Sequence, residues 1–475
     1  MPVVVPKLLR GFRDLLPGEM LLRERIISRI RDVYESYGFV PLSTPALEYK
    51  EILLGYGEEA SKQIYLFAEP DGCDVGLRFD LTVPLSRVIA QYPDLPRPFK
   101  RYQIQPVWRY DKPDPGRFRE FIQFDIDTVG TDSMVADAEI MAAIHHSLEC
   151  LGLKSRIRFS SRKILNSLLS FAGIPMEMAH PVFRVLDKLE KQGRESVRLE
   201  LGPGRKDDSG AEIPGLGLNK SQIDRLEEFL SIPQGKRVEV LRDVSQLFRD
   251  VPAAAQGIAE LREIHEYLDA LDIDSDAAAI DVSIARGLDY YTGPVFEAVL
   301  TDERAVGVGS VMGGGRYDGL IGTFTGTPIP ATGASIGIDR LVAAIQHFEG
   351  FRARPSTADV LVTVMDKTRI MDYARLAHEL RAAGISTELY TGEATSIGKQ
   401  LKYADKLEIP IAVIAGPDEF ATNQVSVKNL KVIEKQKVVT KDRQEWVEKR
   451  VGQRTIARSD LIAEVKSILQ DLASA

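Results

Sequence analysis

Arginine side chains are concentrated in one segment whose residue types and spacing suit the binding of phosphate. Between Val107 and Asp127 the chain carries Arg109, Arg117 and Arg119 around a proline- and glycine-rich loop. A guanidinium group is planar and can hold two phosphate oxygens at once. The same composition is also typical of a charged hairpin on a protein surface, so this segment alone leaves both interpretations open.

Strand periodicity predicts which side chains of this segment lie together. Side chains two positions apart in a β-strand point to the same face. We therefore expect Arg109 and Asp111 to share one face of the segment. The side chains expected on a second shared face are those of Phe121, Gln123, Asp125 and Asp127.

A second candidate site lies at Arg286–Gly293, which follows the strand-like segment Asp281–Ala285. Tyr290 and Tyr291 come shortly after Arg286, and the three side chains could line a pocket for a small polar ligand. The alternative is a strand in which one tyrosine fills the core and the other is exposed.

Glycines recur in two further segments. The run within Gly313–Gly319 allows unusual backbone torsions or the close approach of a ligand. It lacks the lysine and hydroxyl residue of a phosphate-binding P-loop, and its spacing does not fit a dinucleotide fingerprint. Gly333 and Gly337 predict the start of a helix, Gly333–Phe348, that packs closely on a sheet with Arg340 one turn beyond. Packing alone is the alternative role of this helix.

Length and composition indicate a large globular protein. A chain of 475 residues predicts roughly two to four domains. Its 44% hydrophobic and 27% charged residues are typical of globular proteins, and no apolar run reaches the roughly 18 residues of a membrane span. Met1–Leu9 is broken by prolines and lysine and is soon followed by acidic residues, which suits neither a signal nor a transit peptide. We therefore expect a cytoplasmic protein.

Cysteine, histidine and serine usage argue against several kinds of site. Cys73 and Cys150 are the two cysteines, so neither a disulfide framework nor a four-cysteine zinc site is possible. The pair His145–His146 lies outside any motif with metal-ligand spacing, and no glycine-flanked serine forms a nucleophile elbow. The formal net charge of −8 means that contact with RNA must rest on local basic surfaces.

Hydrophobic patterning predicts the elements that position these residues. Apolar residues at helical spacing predict a long helix at Glu19–Tyr37, and alternating runs within Val75–Gly130 predict antiparallel strands. A helical stretch at about Gly173–Ala270 precedes a return of strand patterns at Asp281–Leu300 and Val306–Met312. The core is therefore expected to be discontinuous in sequence.

The predicted elements group into three parts. Beyond Pro355 strands and helices alternate, which predicts a small parallel-sheet domain. We predict an α+β core on a mainly antiparallel sheet at residues 1–160 and 275–350, an inserted helical module at 161–274, and a C-terminal α/β domain at 356–475.

Taken in order, these segments resemble the class II aminoacyl-tRNA synthetases. Arg286–Gly293 together with Gly313–Gly319 is specifically similar to the histidyl-tRNA synthetase family. The resemblance covers nearly the whole chain. Its other segments are Arg10–Pro17, Phe39–Glu48 as the dimer-forming first motif, Val107–Asp127 as the second motif, and Gly333–Arg340 as the third.

The resemblance implies a binding site for ATP. Arg109 would hold the α-phosphate and the carboxylate of histidine, Asp111 would read the adenine amino group, and Phe121 would stack on the adenine. Arg117 and Arg340 would hold the β- and γ-phosphates, with Mg²⁺ bridging the phosphate oxygens. ATP and Mg²⁺ are therefore the expected cosubstrate and metal, with no protein side chain singled out as a metal ligand.

The resemblance also implies a histidine site. Asp80, Leu81 and Thr82 belong to a segment similar to the one that binds the α-amino group, and Gln123 would reach the carboxylate end. The residues implied for the imidazole are Asp127, Tyr290 and Tyr291, with Tyr317 as a further wall of the pocket. Arg286 would lie opposite Arg109 across the reacting phosphate, which makes these two arginines the expected catalytic residues.

The implied reaction joins histidine to tRNA-His through a histidyl-adenylate, in a homodimeric enzyme. The domain after Pro355 is similar to the family's anticodon-binding domain. Basic residues suited to phosphates in this domain are Lys428, Lys431, Lys435, Lys437, Lys441 and Arg443, although a solvated face is the alternative. At the loop Lys112–Gly116, the acidic Asp114 departs from the basic and amide-rich stretch of many bacterial members.

A non-catalytic role is the competing hypothesis. Synthetase-like folds also serve as regulators, such as the subunit paired with ATP phosphoribosyltransferase, and as tRNA-sensing domains. Those proteins usually lose parts of the motifs, whereas this chain carries Arg109, Arg286, Arg340 and Gln123. The sequence therefore favours the enzyme.

Overall fold

The structure is a computed structural model. The described residues are 3–54, 62–113, 117–206, 210–284, 291–305, 309–346, 348, 351, 354–431 and 452–473. Packing divides the chain into two compact units, one formed by Met1–Asp14 and Arg25–Gly350, the other by Leu15–Glu24 and Phe351–Ala475. Within the described ranges, no helix has both the length and the apolar character needed to span a membrane.

An eight-stranded sheet forms the centre of the first unit. With strands numbered along the chain, its spatial order is β1 (Val40–Pro41), β5 (Phe99–Trp108), β6 (Glu120–Val129), β13 (Ala331–Gly337), β12 (Ser310–Arg316), β11 (Pro294–Leu300), β7 (Ser155–Ser161) and β10 (Ala278–Ile280). The two outermost pairs, β1–β5 and β7–β10, are parallel. The pairs between them are antiparallel, which confirms the predicted α+β core on a mainly antiparallel sheet.

Strands β5 and β6 form a long hairpin whose two faces have different characters. Their ladder runs from Phe99 opposite Val129 to Trp108 opposite Glu120, so the arginine-rich loop connects them as predicted. Phe124 packs on one side, with its ring centroid 4.8 Å from that of Tyr34. Because side chains alternate along a strand, the polar residues of β6 share the opposite face.

The glycine run at 313–315 lies within β12, not in a loop. A Cβ on Gly314 would overlap the Phe296 ring and the backbone of β13, and a Cβ on Gly315 would lie 2.7 Å from the Pro294 carbonyl oxygen. These backbones are extended. Close approach between strands, rather than unusual torsions, accounts for this run.

The predicted helix Gly333–Phe348 is wrong at its start. Ala331–Gly337 forms β13, and the helix begins at Ile338 and ends at Ile345. Strand β13 lies between β6 and β12, so hydrogen bonds on both sides stabilise the extended conformation. Gly333 therefore packs within a sheet and not on a helical face.

The described part of the first unit also contains the following helices and two smaller sheets. The helices are Lys50–Leu53, Thr82–Gln91, Met134–Cys150, Arg162–Ala172, Ala179–Leu186, Leu189–Leu201, Lys220–Leu230, Arg237–Leu247, Ala254–Ala270, Gly322–Thr325 and Ile338–Ile345. The smaller sheets are β2 (Leu47–Tyr49), β4 (Asp74–Leu77) and β3 (Leu66–Ala68), and the pair β8 (Gly204–Lys206) and β9 (Glu212–Pro214). A further helix spans Pro17–Ser36, close to the predicted Glu19–Tyr37.

The second unit contains a five-stranded sheet. Its order is β15 (Thr387–Leu389), β14 (Val360–Val362), β16 (Ile411–Ile414), β17 (Gln424–Asn429) and β18 (Gln453–Ala457). Its helices are Ile370–Ala382, Ile397–Lys406, Pro417–Ala421 and Leu461–Ala473. Strand β14 is parallel to its two neighbours, but β17 runs antiparallel to both of its own. The predicted α/β domain is confirmed, but the prediction of a parallel sheet is wrong for β17 and β18. The connection from β16 to β17 is too short for a parallel crossover.

Candidate active site

Two adjoining cavities open on one face of β6, β12 and β13. Their volumes are about 280 Å³ and 320 Å³, the scale of small-molecule sites. Both cavities are lined by Arg109, Gln123, Ser310, Gly313 and Ser335. They therefore form one continuous site with shared residues between them.

The two cavities differ in charge. Carboxylates of Asp80, Asp125, Asp127 and Glu297 line the first, which we call the acidic cavity. Besides the shared Arg109, Arg117 and Arg340 line the second, which we call the arginine cavity. A positively charged group fits the first cavity and a phosphate chain fits the second.

Asp127 is held in the acidic cavity by two buried partners. Nη2 of Arg101 lies 2.7 Å from the Asp127 carboxylate, and both side chains are almost fully buried. The hydroxyl group of Tyr317 donates a hydrogen bond to the same carboxylate. Burial raises the pKa of Asp127, whereas the charge of Arg101 and the hydrogen bond from Tyr317 lower it. The carboxylate is thus fixed in direction before any ligand arrives.

The segment Asp80–Thr82 lies at the start of the helix Thr82–Gln91. One oxygen of Asp80 accepts hydrogen bonds from the backbone N–H groups of Thr82 and Val83, at 2.9 and 3.0 Å. Asp80 and Thr82 line the acidic cavity. Leu81 is fully buried and its side chain is not among the lining residues of either cavity, although its carbonyl oxygen accepts a hydrogen bond from Arg101.

Gln123 and Asp125 meet the same serine of the neighbouring strand. Nε2 of Gln123 donates to Oγ of Ser335 at 2.8 Å. Ser335 lies opposite Asp125 in the ladder and hydrogen bonds to its carboxylate. Sequence periodicity placed Asp125 on this face without a role, and it gave no indication of Ser335, whose strand was predicted as a helix.

Two of the predicted residues, Arg286 and Tyr290, lie outside the described residues. Tyr291 lines the acidic cavity, and the buried Tyr317 contributes its hydroxyl group there. A Cβ on Gly315 would also come within 2.9 Å of the Tyr291 ring, so the glycine leaves room for this tyrosine. The tyrosine wall of the cavity therefore depends on the glycine run of β12.

Arg109 is oriented from both sides at the junction of the cavities. Its Nε donates to the carbonyl oxygen of Phe79 at 3.1 Å. Its guanidinium group lies 4.3 Å from the ring centroid of Phe79 and 5.2 Å from that of Phe121, as in cation–π contacts. The hydrogen bond to Phe79 uses Nε, so the two Nη groups can serve an anionic ligand.

The arginine cavity gathers the other residues predicted for phosphate and adenine. Asp111, Arg117 and Phe121 line it. Nη1 of Arg340 donates to the carbonyl oxygen of Ser310 at 2.8 Å, which directs the side chain back along β12. The sheet therefore brings together residues from the hairpin loop and from the helix after β13.

Asp339 lines the arginine cavity and contacts two further segments, although no role was predicted for it. One carboxylate oxygen lies 2.7 Å from Nη2 of Arg13, and the other accepts from the backbone N–H of Ile122, also at 2.7 Å. Arg13 lies 4.0 Å above the Phe118 ring. Arg13 belongs to the segment Arg10–Pro17, which was singled out by resemblance. Its pairing with Asp339 could not be predicted, because the two residues are far apart in the chain.

The arrangement can bring an anionic group in one cavity against a phosphate in the other. A small ligand with a positive charge and a carboxylate would direct its carboxylate toward Arg109 and away from the acids. A nucleotide in the arginine cavity would direct its first phosphate toward the same side chain. Attack of the carboxylate on that phosphate requires mainly positioning and charge stabilisation.

The chain is similar over most of its length to proteins of known function. A family model for histidyl-tRNA synthetase matches residues 11–341, and one for an anticodon binding domain matches residues 359–467. The chain is 42% identical to the histidine–tRNA ligase of Dinoroseobacter shibae, over 97% of this chain and 96% of that one.

Solved structures give the same result. A histidyl-tRNA synthetase from Nostoc sp. PCC 7120 superposes with a TM-score of 0.81 at 32% identity, over 98% of this chain and 100% of that one. A Bacillus halodurans protein described as an ATP phosphoribosyltransferase regulatory subunit/histidyl-tRNA synthetase has a TM-score of 0.69 at 23% identity, over 85% of this chain and 97% of that one. This second likeness shows the fold alone.

We predict that Gly333→Ala destabilises the site. The new Cβ would overlap the carboxylate of Asp127, which Arg101 and Tyr317 hold in place. Overpacking of this kind costs about 1–3 kcal/mol of unfolding free energy. Thermal and urea unfolding measure the change. Gly319→Ala is the matched control because its Cβ would meet nothing within 4 Å, and equal stability of the two variants would contradict the prediction.

Proposed function

The chain belongs to the histidyl-tRNA synthetase family, and from this premise we propose how its two cavities divide the reaction. The protein is a histidine–tRNA ligase. It activates L-histidine with ATP to histidyl-adenylate and pyrophosphate, and then transfers histidine to the 3′ end of tRNA-His. We assign histidine to the acidic cavity and ATP to the arginine cavity, and the shared Arg109 is the observation that carries this assignment.

Histidine recognition rests on the buried polar groups of the acidic cavity. Asp80 and Thr82 bind the α-amino group, and Gln123 reaches the carboxylate end. The residues assigned to the imidazole are Asp127, Tyr290, Tyr291 and Tyr317. Asp127 supports this role because its oxygens are already directed by Arg101 and Tyr317. An apolar isostere of histidine would leave these polar groups unpaired. The enzyme would then accept the isostere as a substrate about 10⁴-fold less efficiently than histidine.

ATP binding rests on the arginines and on one aromatic ring. Arg109 holds the α-phosphate, while Arg117 and Arg340 hold the β- and γ-phosphates. Phe121 stacks on the adenine and Asp111 accepts from its amino group. All five line the arginine cavity, which supports the assignment.

The first chemical step needs no general base. The histidine carboxylate is ionised at neutral pH and attacks the α-phosphorus in line with the departing pyrophosphate. Arg109 and Arg286 stabilise the charge on the reacting phosphate from opposite sides, and they are the two catalytic residues that we assign. The rate of adenylation then depends on how the carboxylate and the α-phosphate are oriented, and on arginine side chains that are in place before the reaction begins.

Mg²⁺ would be bound through the nucleotide. Within the described ranges, no group of three or more histidine, cysteine or acidic residues could hold a metal ion. We therefore propose that the phosphate oxygens of ATP carry the ion. Mg²⁺ keeps several of its waters and commonly binds through substrate phosphates. When bound there, the ion neutralises charge on the departing pyrophosphate.

Transfer to tRNA involves the second unit. We propose that residues 1–160 and 275–350 form the catalytic domain, 161–274 an inserted helical module and 356–475 the anticodon-binding domain. The match of residues 359–467 to an anticodon binding domain supports the last assignment. Lys428 lies in β17 and Lys431 follows it, whereas Lys435, Lys437, Lys441 and Arg443 lie outside the described residues.

We also propose that the enzyme is a cytoplasmic homodimer. Exposed apolar side chains on the small sheet β2–β4–β3 include Leu47, Tyr49 and Phe67. Leu47 and Tyr49 also line a groove that continues to Tyr92 and Phe99. Apolar surface of this kind is typical of a protein–protein interface. It includes part of the segment Phe39–Glu48, which resembles the dimer-forming motif.

The experiment that tests the activity is histidine-dependent exchange of pyrophosphate into ATP. We expect exchange with Mg²⁺, ATP and L-histidine, because the proposed assignment brings the histidine carboxylate and the α-phosphate together at Arg109. Omission of histidine is the control. No exchange by a well-folded protein would reject the enzyme assignment and favour a regulatory role.

We predict that Arg286→Ala lowers the adenylation rate by about 10²-fold or more, the scale of losing a charge-stabilising donor. Single-turnover formation of histidyl-adenylate measures the rate, and thermal unfolding checks the fold. Arg242→Ala, an exposed arginine elsewhere, is the control. An unchanged rate would remove Arg286 from the mechanism.

We predict that Tyr49→Asp converts the dimer to monomers. A charge on this apolar surface would be costly to bury against a second copy without a partner. Sedimentation at several protein concentrations measures the oligomeric state. Tyr267→Asp changes an exposed tyrosine on the helix Ala254–Ala270 and should leave the dimer intact. A wild-type protein that sediments as a monomer would refute the proposed assembly.

A further inference from the structure

Asp125 is a buried carboxylate of the acidic cavity to which the proposed function gives no role. Its side chain is 2% exposed and lines the cavity. Oδ1 of Asp125 has no hydrogen-bond partner among the described residues. A buried acid with an unpartnered oxygen that faces a ligand site is rare, because an unmet buried polar group is costly.

The neighbouring acids of the cavity have partners that Asp125 lacks. Asp127 is paired with Arg101, and Glu297 lies 3.3 Å from Arg158. Asp80 accepts two backbone hydrogen bonds at a helix start. Within the described part of the chain, Asp125 has the hydrogen bond with Ser335 and no ion pair closer than 4.0 Å. The charge of Asp125 is therefore not neutralised by an ion pair among the described residues.

Strand geometry places this carboxylate between the two ends of the bound amino acid. Gln123, Asp125 and Asp127 alternate along one face of β6, so neighbours in this row are roughly 7 Å apart. In the proposed function, Gln123 meets the carboxylate end of histidine and Asp127 the imidazole. Asp125 then lies beneath the middle of the ligand, where the α-carbon carries its ammonium group.

We propose that Asp125 is a specificity-determining residue whose ionised carboxylate binds the α-ammonium group of histidine. This inference rests on the assignment of histidine to the acidic cavity. The ammonium group is the one full positive charge of histidine at neutral pH. An ammonium group between Asp80 and Asp125 would neutralise negative charge in the cavity. It would also donate the hydrogen bond that Oδ1 of Asp125 lacks.

Binding should depend on pH through this carboxylate. The pKa of Asp125 is raised to about 7, mainly by burial. The charge of Arg101 and the hydrogen bond from Ser335 lower this pKa, whereas the charges of Asp127 and Asp80 raise it. The other charged groups lining the cavity are Arg109 and Glu297. An ammonium ligand lowers the pKa of Asp125, so affinity is full above about pH 7 and falls as the pH drops below it.

Three ligands separate the groups that Asp125 could contact. Histidine has imidazole, ammonium and carboxylate groups, histidinol lacks the carboxylate, and 3-(imidazol-4-yl)propionate lacks the ammonium. We expect Asp125→Asn to weaken binding of histidine and histidinol by about 10- to 100-fold in calorimetric titrations, the scale of a charged hydrogen bond. Binding of the propionate should stay unchanged.

A matched variant and the wild-type protein complete the test. Asp127→Asn should weaken all three ligands, because each contains the imidazole. Equal weakening of the three by Asp125→Asn, weakening of only the two carboxylate ligands, or no weakening would overturn the proposal. A wild-type protein that does not bind histidine would instead refute the proposed function.

The wild-type protein also tests the proposal without any variant. The ratio of its affinities for histidine and the propionate should rise roughly tenfold between pH 6 and pH 8, once each affinity is corrected for the ionisation of that ligand's own imidazole, titrated separately without protein. A ratio that is constant across this range would overturn the proposal even if Asp125→Asn did not fold.

Discussion

The site depends on the buried ion pair between Arg101 and Asp127. These residues lie opposite each other in the β5–β6 ladder, and their charges are 2.7 Å apart with little solvent. A charge buried in this way is stable only with its partner. The pair therefore fixes the register of the hairpin and the direction of the carboxylate together.

The strands next to the ion pair, β12 and β13, carry glycines where a side chain would not fit. Gly333 must lack a side chain because the Asp127 carboxylate occupies the space on its Cβ side, and Gly314 must lack one because β12 and β13 approach closely. Tyr317 follows β12 and completes the hydrogen bonds of Asp127. Small residues on two strands thus leave a cavity that larger side chains would fill.

Separation of charge gives the site its direction. Four carboxylates line the acidic cavity, three arginines line the arginine cavity together with Asp111 and Asp339, and Arg109 lines both. An amino acid with one charge of each sign has a preferred orientation in such a field, with its carboxylate toward Arg109. In the proposed assignment of histidine and ATP to the two cavities, this orientation is the one that the adenylation reaction needs.

The sequence by itself determined the family, the antiparallel core, the C-terminal α/β domain and the reaction. The family and the reaction follow from the resemblance of several motifs in order along the chain. Strand alternation and the spacing of helices predict the core, the C-terminal domain and which side chains share a face. Tertiary structure decided the rest. The sequence Ala331–Gly337 is compatible with a helix or a strand, and pairing with β6 and β12 made it a strand. The partners of Asp127 and Asp339, and the unpaired carboxylate of Asp125, depend on residues distant in the chain. No local pattern contains them, since burial and distance between segments exist only once the sheet has formed.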